Sequence, residues 1–270
     1  MSVIKRLKIG TLRALLKTVG RFSDGIRIAF REGFTSGVML DYVYRNEPSG
    51  RWLIGRWIDR AYLRHAGWES IRVRKKNLET LVMEALAVQR ARGRSPVVVD
   101  VASGPARYLL DVLCGSGMGD VRAACRDLEE RSLEMGRRNA AERGIANVRF
   151  ERGDALDADS LAQVRPIPNV AISSGFYDWI VDDGLVRRSM LLLHDLLPEG
   201  GGFVFTNQSG HVDLAMVEGV FVDFRGEPLR MKVRPTDEMN RWAADAGFRI
   251  VRTLSDANGY YSVTLAEKMA

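Results

Sequence analysis

The sequence predicts an α/β fold: a doubly wound, mostly parallel sheet of seven strands, with a helical N-terminal cap. Three observations predict it. From residue 97, short β-type runs alternate with helical patterns, as in a parallel sheet covered by helices. Near the end the alternation stops, and two β-rich runs joined by Asp256-Ala257-Asn258-Gly259 form a hairpin. Three aspartates, Asp100, Asp127 and Asp154, recur at intervals of 27 residues, each at or just past a predicted strand end.

The elements follow in order. Residues 1–92 are assigned to a helical cap or lid and residues 93–270 to the α/β domain. Ile4, Leu7, Leu12, Leu15, Leu16 and Val19 recur at helical spacing, with Lys5, Arg6, Lys8, Arg13 and Lys17 between them. A helix follows Ser36-Gly37 and ends at the turn Glu47-Pro48-Ser49-Gly50; an aromatic helix carrying Trp52, Trp57, Tyr62 and Trp68 comes next. Leu78 to Gln89 reads as an amphipathic helix. Strands are predicted at Val97–Val101, Val121–Arg126, Val148–Arg152, Val170–Ser174 and Gly202–Asn207. Helices between them cover Ala106–Leu113, Glu130–Arg143, a short piece near Ser160, and Gly184–Leu197. A helix at Thr236–Ala246 precedes the last two strands, Phe248–Leu254 and Tyr260–Glu267.

Composition narrows the function classes. With 46% hydrophobic and 27% charged residues, the 270-residue chain can bury a core and is not a disordered segment. No apolar run reaches membrane-span length, and the N-terminus lacks a signal-peptide core and cleavage site. Cys114 and Cys125 give neither a disulfide framework nor a zinc spacing, so a reducing cytoplasm is expected. The net charge of +6 comes from basic residues spread along the chain, which argues against a nucleic-acid partner. The basic first helix suits a membrane surface as well as its own protein core, and membrane contact stays open. Nothing indicates the oligomeric state.

In an open parallel sheet, ligands bind at the carboxyl ends of the strands. Three acids on successive strand ends therefore face one crevice and suit a nucleoside with a charged tail. The Asp127 carboxylate is placed to accept both ribose hydroxyls, and Asp154 the adenine amino group. The turn at Ser103-Gly104 is placed to receive an amino-acid portion through backbone groups, beside Asp100. Leu128, Ala155, Ser173 and Phe176, neighbours of these acids or of the fourth strand end, complete the expected cofactor-binding set. A nicotinamide dinucleotide fold would need Gly-x-Gly-x-x-Gly after the first strand, and that pattern is absent.

Asp100-Val101-Ala102-Ser103-Gly104-Pro105-Ala106 resembles the acid and Gly-x-Gly-x-Gly turn of the class I S-adenosylmethionine-dependent methyltransferases, a Rossmann-like family. Ala102 and Ala106 stand where that family carries glycine, and alanine tolerates φ > 0 poorly. Asp127 matches the family's ribose acid and Asp154 its adenine acid. Pro198-Glu199-Gly200-Gly201-Gly202 resembles its approach to strand five, and the terminal hairpin matches too. This resemblance covers about residues 94–270 and implies S-adenosylmethionine as cofactor. Ser36 to Tyr44, Trp57 to Leu63 and Gly67 to Arg74 resemble a bacterial methyltransferase branch with a helical N-terminal extension. The layout is also similar to the azetidine-2-carboxylate synthases, which cyclise S-adenosylmethionine itself.

The segment Ser173-Ser174-Gly175-Phe176-Tyr177-Asp178-Trp179 lacks the Asn/Asp-Pro-Pro-Tyr signature of amino-group methyltransferases of nucleobases and glutamine, which argues against DNA or protein-amide methylation, and a small-molecule substrate is expected. Tyr177, to orient or deprotonate a nucleophile, and Asp178, to hold an amine, are the expected catalytic pair. Phe176, Tyr177 and Trp179 are candidates to face a sulfonium, with Tyr42, Tyr44, Trp52 and Trp57 closing from the cap. Each aromatic face would contribute roughly 0.5–2 kcal/mol. Trp52 and Trp57 are also expected in the cap's own core. Two SN2 reactions stay open: methyl transfer to an external nucleophile, and cyclisation to azetidine-2-carboxylate with release of methylthioadenosine. A non-catalytic RNA- or membrane-binding module is a third reading, against which the three acids stand. His65, His194 and His211 are too dispersed for a metal site, and His211, just past the fifth strand, is expected in a loop.

Overall fold

The computed structural model describes residues 3–223 and 225–269. Its N-terminal helices are α1 (Val3–Thr18), α2 (Asp24–Arg31), α3 (Gly37–Arg45), α4 (Trp52–Leu63) and α5 (Ala66–Ala91). There follow β1 (Val97–Val101), α6 (Arg107–Leu113), β2 (Arg122–Asp127), α7 (Glu130–Glu142), β3 (Val148–Arg152) and α8 (Ala158–Ala162). Next come β4 (Val170–Ser173), α9 (Asp183–Leu196), β5 (Gly202–Gln208) and α10 (Leu214–Val220). The chain closes with α11 (Thr236–Asp245), β6 (Phe248–Ser255) and β7 (Tyr261–Lys268).

The chain divides into two units, Met1–Arg72 with His211–Met231, and Val73–Gly210 with Lys232–Ala270. The boundary expected after residue 92 therefore falls after Arg72, inside α5. The amphipathic stretch from Leu78 belongs to a helix of the α/β unit: Leu78, Leu81, Val82, Ala85 and Leu86 are buried there. The helical unit instead recruits the segment between β5 and α11.

The α/β unit holds the expected seven-stranded sheet, in the order β3-β2-β1-β4-β5-β7-β6. The first five strands are parallel, and β7 runs antiparallel to both β5 and β6. The central strands are apolar on both faces because helices cover both; β4 and β5 are buried along their whole length. One apolar layer joins Val99, Val101, Phe203 and Phe205 to Met190 and Leu193 of α9 and Trp242 of α11. Small residues let the layers close: a Cβ at Gly136 of α7 would overlap the Phe150 ring of β3. In the terminal turn the Asp256 carboxylate accepts the N–H groups of Asn258 and Tyr261, at 3.0 and 2.6 Å, and Gly259 takes φ 67°.

The helical unit is organised by polar groups. Ser23 caps α2 and Ser36 caps α3, each accepting an N–H at 3.1 Å. Asp59 of α4 is fully buried and accepts four hydrogen bonds, from the Ser23 and Tyr42 hydroxyls (2.5 Å each) and the Gly25 and Ser49 N–H groups (2.8 and 2.9 Å). Tyr42, expected to close over a sulfonium, is thus committed inside this unit. Burial, then the bond to Asp59, pushes its hydroxyl pKa well up. Trp52 and Trp57, expected in the cap's core, are 75% and 69% exposed. The later segment packs by its aromatics: Phe221 stacks on Phe34 with centroids 4.6 Å apart and lies 5.3 Å from Phe30. His211 belongs to this unit, where its Nδ1 accepts the Asp213 N–H at 3.0 Å beside the start of α10. Side chains ahead of Leu7 lie outside the described residues, including those of Ile4, Lys5 and Arg6. Among the described residues no helix is long and apolar enough to cross a membrane.

Candidate functional site: three strand ends and a left-handed turn

The sheet register arranges the three acids. Asp100 of β1 pairs with Cys125 of β2, so Asp127 stands two residues further along. Asp127 in turn pairs with Arg152 of β3, which puts Asp154 two residues beyond that level. Each step is thus about 6–7 Å along the strands and one strand spacing of about 4.8 Å across. Within β1 and β2 an offset of two preserves the face on which strand side chains emerge, while Asp154 follows the end of β3. The 27-residue interval folds into a diagonal ramp of carboxylates over the carboxyl ends of β1, β2 and β3.

Asp100 sits deepest, with no exposure. Its Oδ2 accepts the Tyr108 hydroxyl of α6 at 2.5 Å, and its Oδ1 is buried without a hydrogen-bond partner among the described residues. Burial pushes this carboxyl up to about 8; the Tyr108 bond lowers it and the charge of Asp127 raises it. Asp100 is therefore a neutral acid near neutral pH, with one unsatisfied oxygen. Asp127 is half-buried. Its Oδ2 accepts the Gly104 N–H at 2.8 Å and its Oδ1 the Glu129 N–H at 2.9 Å. Asp154, also half-buried, closes a local turn by accepting the Leu156 N–H on Oδ1 at 2.8 Å. Leu128, beside the ribose acid, leaves 56% of its surface in solvent, while Ala155 is buried.

The turn after β1 requires a left-handed backbone three times. Ala102, Gly104 and Ala106 have φ of 51°, 55° and 50°. These are the positions at which the sequence pattern calls for glycine. Of the backbone groups expected to receive an amino-acid portion, the Ser103 and Gly104 N–H groups are already engaged. Ser103 donates its N–H to the Arg126 carbonyl at 3.0 Å, and Gly104 donates to Asp127. Both donors are consumed in fastening the turn to the end of β2. The turn keeps its shape from within.

The structure also corrects the expected catalytic pair. Tyr177 is fully buried in the apolar layer under α9, its hydroxyl 3.2 Å from that of Ser189. Burial pushes its pKa up to about 12, against the neighbouring Ser189 and Ser173 hydroxyls. It is enclosed and stays protonated near neutral pH. Asp178 is spent on structure: it pairs with Arg74 of α5 at 2.9 Å and accepts the Gln208 N–H at 3.0 Å. Burial raises its pKa, against the charge of Arg74. Phe176 is buried, 5.6 Å from Tyr177 and 5.4 Å from Trp179 between ring centroids, and Ser173 lies fully inside β4. From β4 onward only Ser174, Gly175 and Trp179 of this stretch keep partial exposure.

Two residues not anticipated from sequence shape this end of the sheet. Arg234, 1% exposed, donates to the carbonyls of Tyr177 and Ile180, at 2.8 and 2.5 Å, and to Asp183 at 2.9 Å. One buried guanidinium thereby pins the whole β4–α9 connection. Gln208 ends β5 fully buried, and its Oε1 has no partner among the described residues. Neither belongs to a short motif; the only sequence hint is an arginine beside Pro235 and a polar run at the end of an apolar strand.

A seven-stranded sheet with a terminal antiparallel hairpin, an acid-lined switch point and a left-handed turn after β1 defines the class I methyltransferase fold. Residues 1–268 match the family described as "Putative methyltransferase", and the chain belongs to that family. The uncharacterised protein YnbC of Escherichia coli (strain K12) is 36% identical over 258 residues, which cover 94% of this chain and 44% of that protein. The chain thus spans less than half the length of this relative. Among solved structures, a possible exported protein from Bordetella parapertussis superposes with a TM-score of 0.68 at 17% identity, covering 99% of this chain and 96% of its own. Magnesium protoporphyrin IX methyltransferase from Synechocystis PCC 6803, with bound S-adenosylhomocysteine, gives 0.56 at 15% identity over 96% and 99% of the two chains. At these identities the solved structures bear on fold.

Proposed function

We propose that this chain is an S-adenosylmethionine-dependent methyltransferase that acts on a small-molecule nucleophile. One observation carries the reading: the ramp of Asp100, Asp127 and Asp154, with an orphaned buried oxygen on Asp100. An ammonium would satisfy that oxygen, and leaving it unpaired costs on the order of 1–3 kcal/mol. When bound, S-adenosylmethionine supplies an electrophilic methyl group on a sulfonium. The residues of this chain hold it. Asp127, whose oxygens each accept one N–H and retain a lone pair, takes the ribose hydroxyls. Asp154 takes the adenine amino group, and exposed Leu128 covers the base. Asp100 takes the amino-acid ammonium over the small-residue turn. With Tyr177 and Asp178 withdrawn, catalysis rests on positioning an already nucleophilic acceptor in line with the methyl group rather than on a dedicated base. A cytoplasmic setting is part of the same reading, supported by two unpaired cysteines.

The purified chain is tested by incubation with S-adenosylmethionine, with and without candidate acceptors, and mass analysis. S-adenosylhomocysteine formed only with an acceptor is the expected result. Methylthioadenosine and a four-membered-ring amino acid formed without one would establish cyclisation instead. Asp127→Ala should weaken S-adenosylhomocysteine binding by about tenfold or more, since hydrogen bonds to a charged acceptor contribute roughly 1.5–3 kcal/mol. Unchanged affinity in calorimetry removes Asp127 from the site.

A further inference from the structure

The helical unit carries a surface that the proposed chemistry does not use. Arg13, Lys17, Arg21, Arg27 and Arg31 line a pocket of about 330 Å³. Leu16, Ile26 and Phe30 give it an apolar floor, and the Lys17 ammonium stands 5.8 Å over the Phe30 ring. Arg27 is neutralised by Asp24 at 2.8 Å and Arg31 by Glu32 at 2.5 Å. Arg13, Lys17 and Arg21 are exposed and make no ion pair among the described residues, so positive charge is in excess. Cations around an apolar floor fit an anion that carries an apolar attachment.

The pocket continues into an exposed aromatic face. The Arg21 guanidinium lies 5.9 Å over the Phe22 ring, and Phe22 lies 5.7 Å from Trp52 between centroids. Trp52, Leu53, Ile54 and Trp57 of α4 are 75%, 74%, 57% and 69% exposed. Arg51, Arg56 and Arg60 are interleaved with them, Arg60 at 5.9 Å from the Trp57 ring. Trp52 has φ 56°, a left-handed conformation that strains a bulky side chain, and burial offsets none of that strain. Indoles and aliphatic side chains set among arginines form the composition that seats at a lipid–water interface.

We propose that this face of the helical unit docks on an anionic phospholipid surface, with a headgroup phosphate in the basic pocket and Trp52, Leu53, Ile54 and Trp57 in the interface. Cosedimentation of the full chain with vesicles tests it. Vesicles of phosphatidylcholine alone are compared with vesicles in which about a quarter of the lipid is phosphatidylglycerol. The anionic vesicles should bind at least about tenfold more tightly, and added salt should weaken that binding. Replacing Arg13, Lys17 and Arg21 by Glu together should reduce binding to the phosphatidylcholine level. Trp52→Asn with Trp57→Gln should weaken binding to both vesicles and abolish the vesicle-induced blue shift of tryptophan emission; asparagine tolerates the left-handed conformation. Circular dichroism and melting confirm that each variant is folded, and Arg21→Glu and Trp57→Gln alone serve where a multiple variant is not. Equal affinity for both vesicles overturns the proposal, as does anionic-vesicle binding that survives the charge reversal. Binding of inorganic phosphate or single-stranded RNA with no vesicle binding overturns it too.

Discussion

Asp100, Ala102 and Tyr177 show how much one position decides. Ala102 holds φ 51° with a side chain that opposes it. Ala102→Gly should therefore raise stability by about 1 kcal/mol, read as a higher melting temperature, because the left-handed strain of roughly 1–2 kcal/mol exceeds glycine's entropic penalty. Asp100 predicts a pH dependence. Its folded-state pKa of about 8 lies above the ordinary 3.8, so between these values the folded chain binds the extra proton. Stability should fall as pH rises from about 4 to about 8, and this slope should end above that range. Asp100→Asn should flatten it in denaturant titrations at several pH values. If an ammonium approaches Asp100, S-adenosylhomocysteine binding at pH 7 should release a proton, detected by calorimetry in buffers of different ionisation heat. Tyr177→Phe should leave turnover unchanged and cost about 1 kcal/mol of stability through its bond to Ser189. A large loss of turnover with unchanged stability would return Tyr177 to the mechanism.

Single elements are held by polar staples that local sequence does not display. The Arg74–Asp178 pair joins α5 to the β4 exit across 104 positions, with both side chains buried. Arg74→Ala should cost about 3–5 kcal/mol by stranding the Asp178 charge, and Arg74→Met with Asp178→Leu should recover much of it. Chemical denaturation of the three variants gives both numbers. Asp59→Ala strands the Ser23, Gly25, Tyr42 and Ser49 donors and should disorder the helical unit, seen as early loss of amide-exchange protection in α2, α3 and α4. These pairings explain what the sequence reading missed. Phe176-Tyr177-Asp178-Trp179 looks like chemistry because aromatic and acidic groups stand at a strand end. Arg74 and Arg234, distant in the chain, determine that the stretch is structure. Trp52 and Trp57 look like core by residue type alone, and exposure depends on which face of α4 meets its neighbours. The strands, by contrast, were legible to within one or two residues, since short apolar or β-branched runs alternate with helical patterns and are bounded by turn residues. The acids were legible because two equal intervals over equivalent βα units imply equivalent places.

For the molecule as a whole, burial ranks the parts. β1, β4 and β5 are covered almost end to end and should exchange their amides only on global unfolding, whereas α1, with Leu7 and Leu15 exposed, should exchange sooner. Mass-spectrometric exchange checks the order. Faster exchange in β4 than in α1 would contradict it. The division of the chain has a further consequence during synthesis. Phe30 and Phe34 leave the ribosome roughly 190 residues before the Phe221 ring that packs on them. At ordinary elongation rates that gap is on the order of ten seconds. Through that interval Phe30 and Phe34 lack the ring that covers them in the folded unit. Clipping off the N-terminus would not leave a tidy remainder, because it would strip α10 of its packing partners.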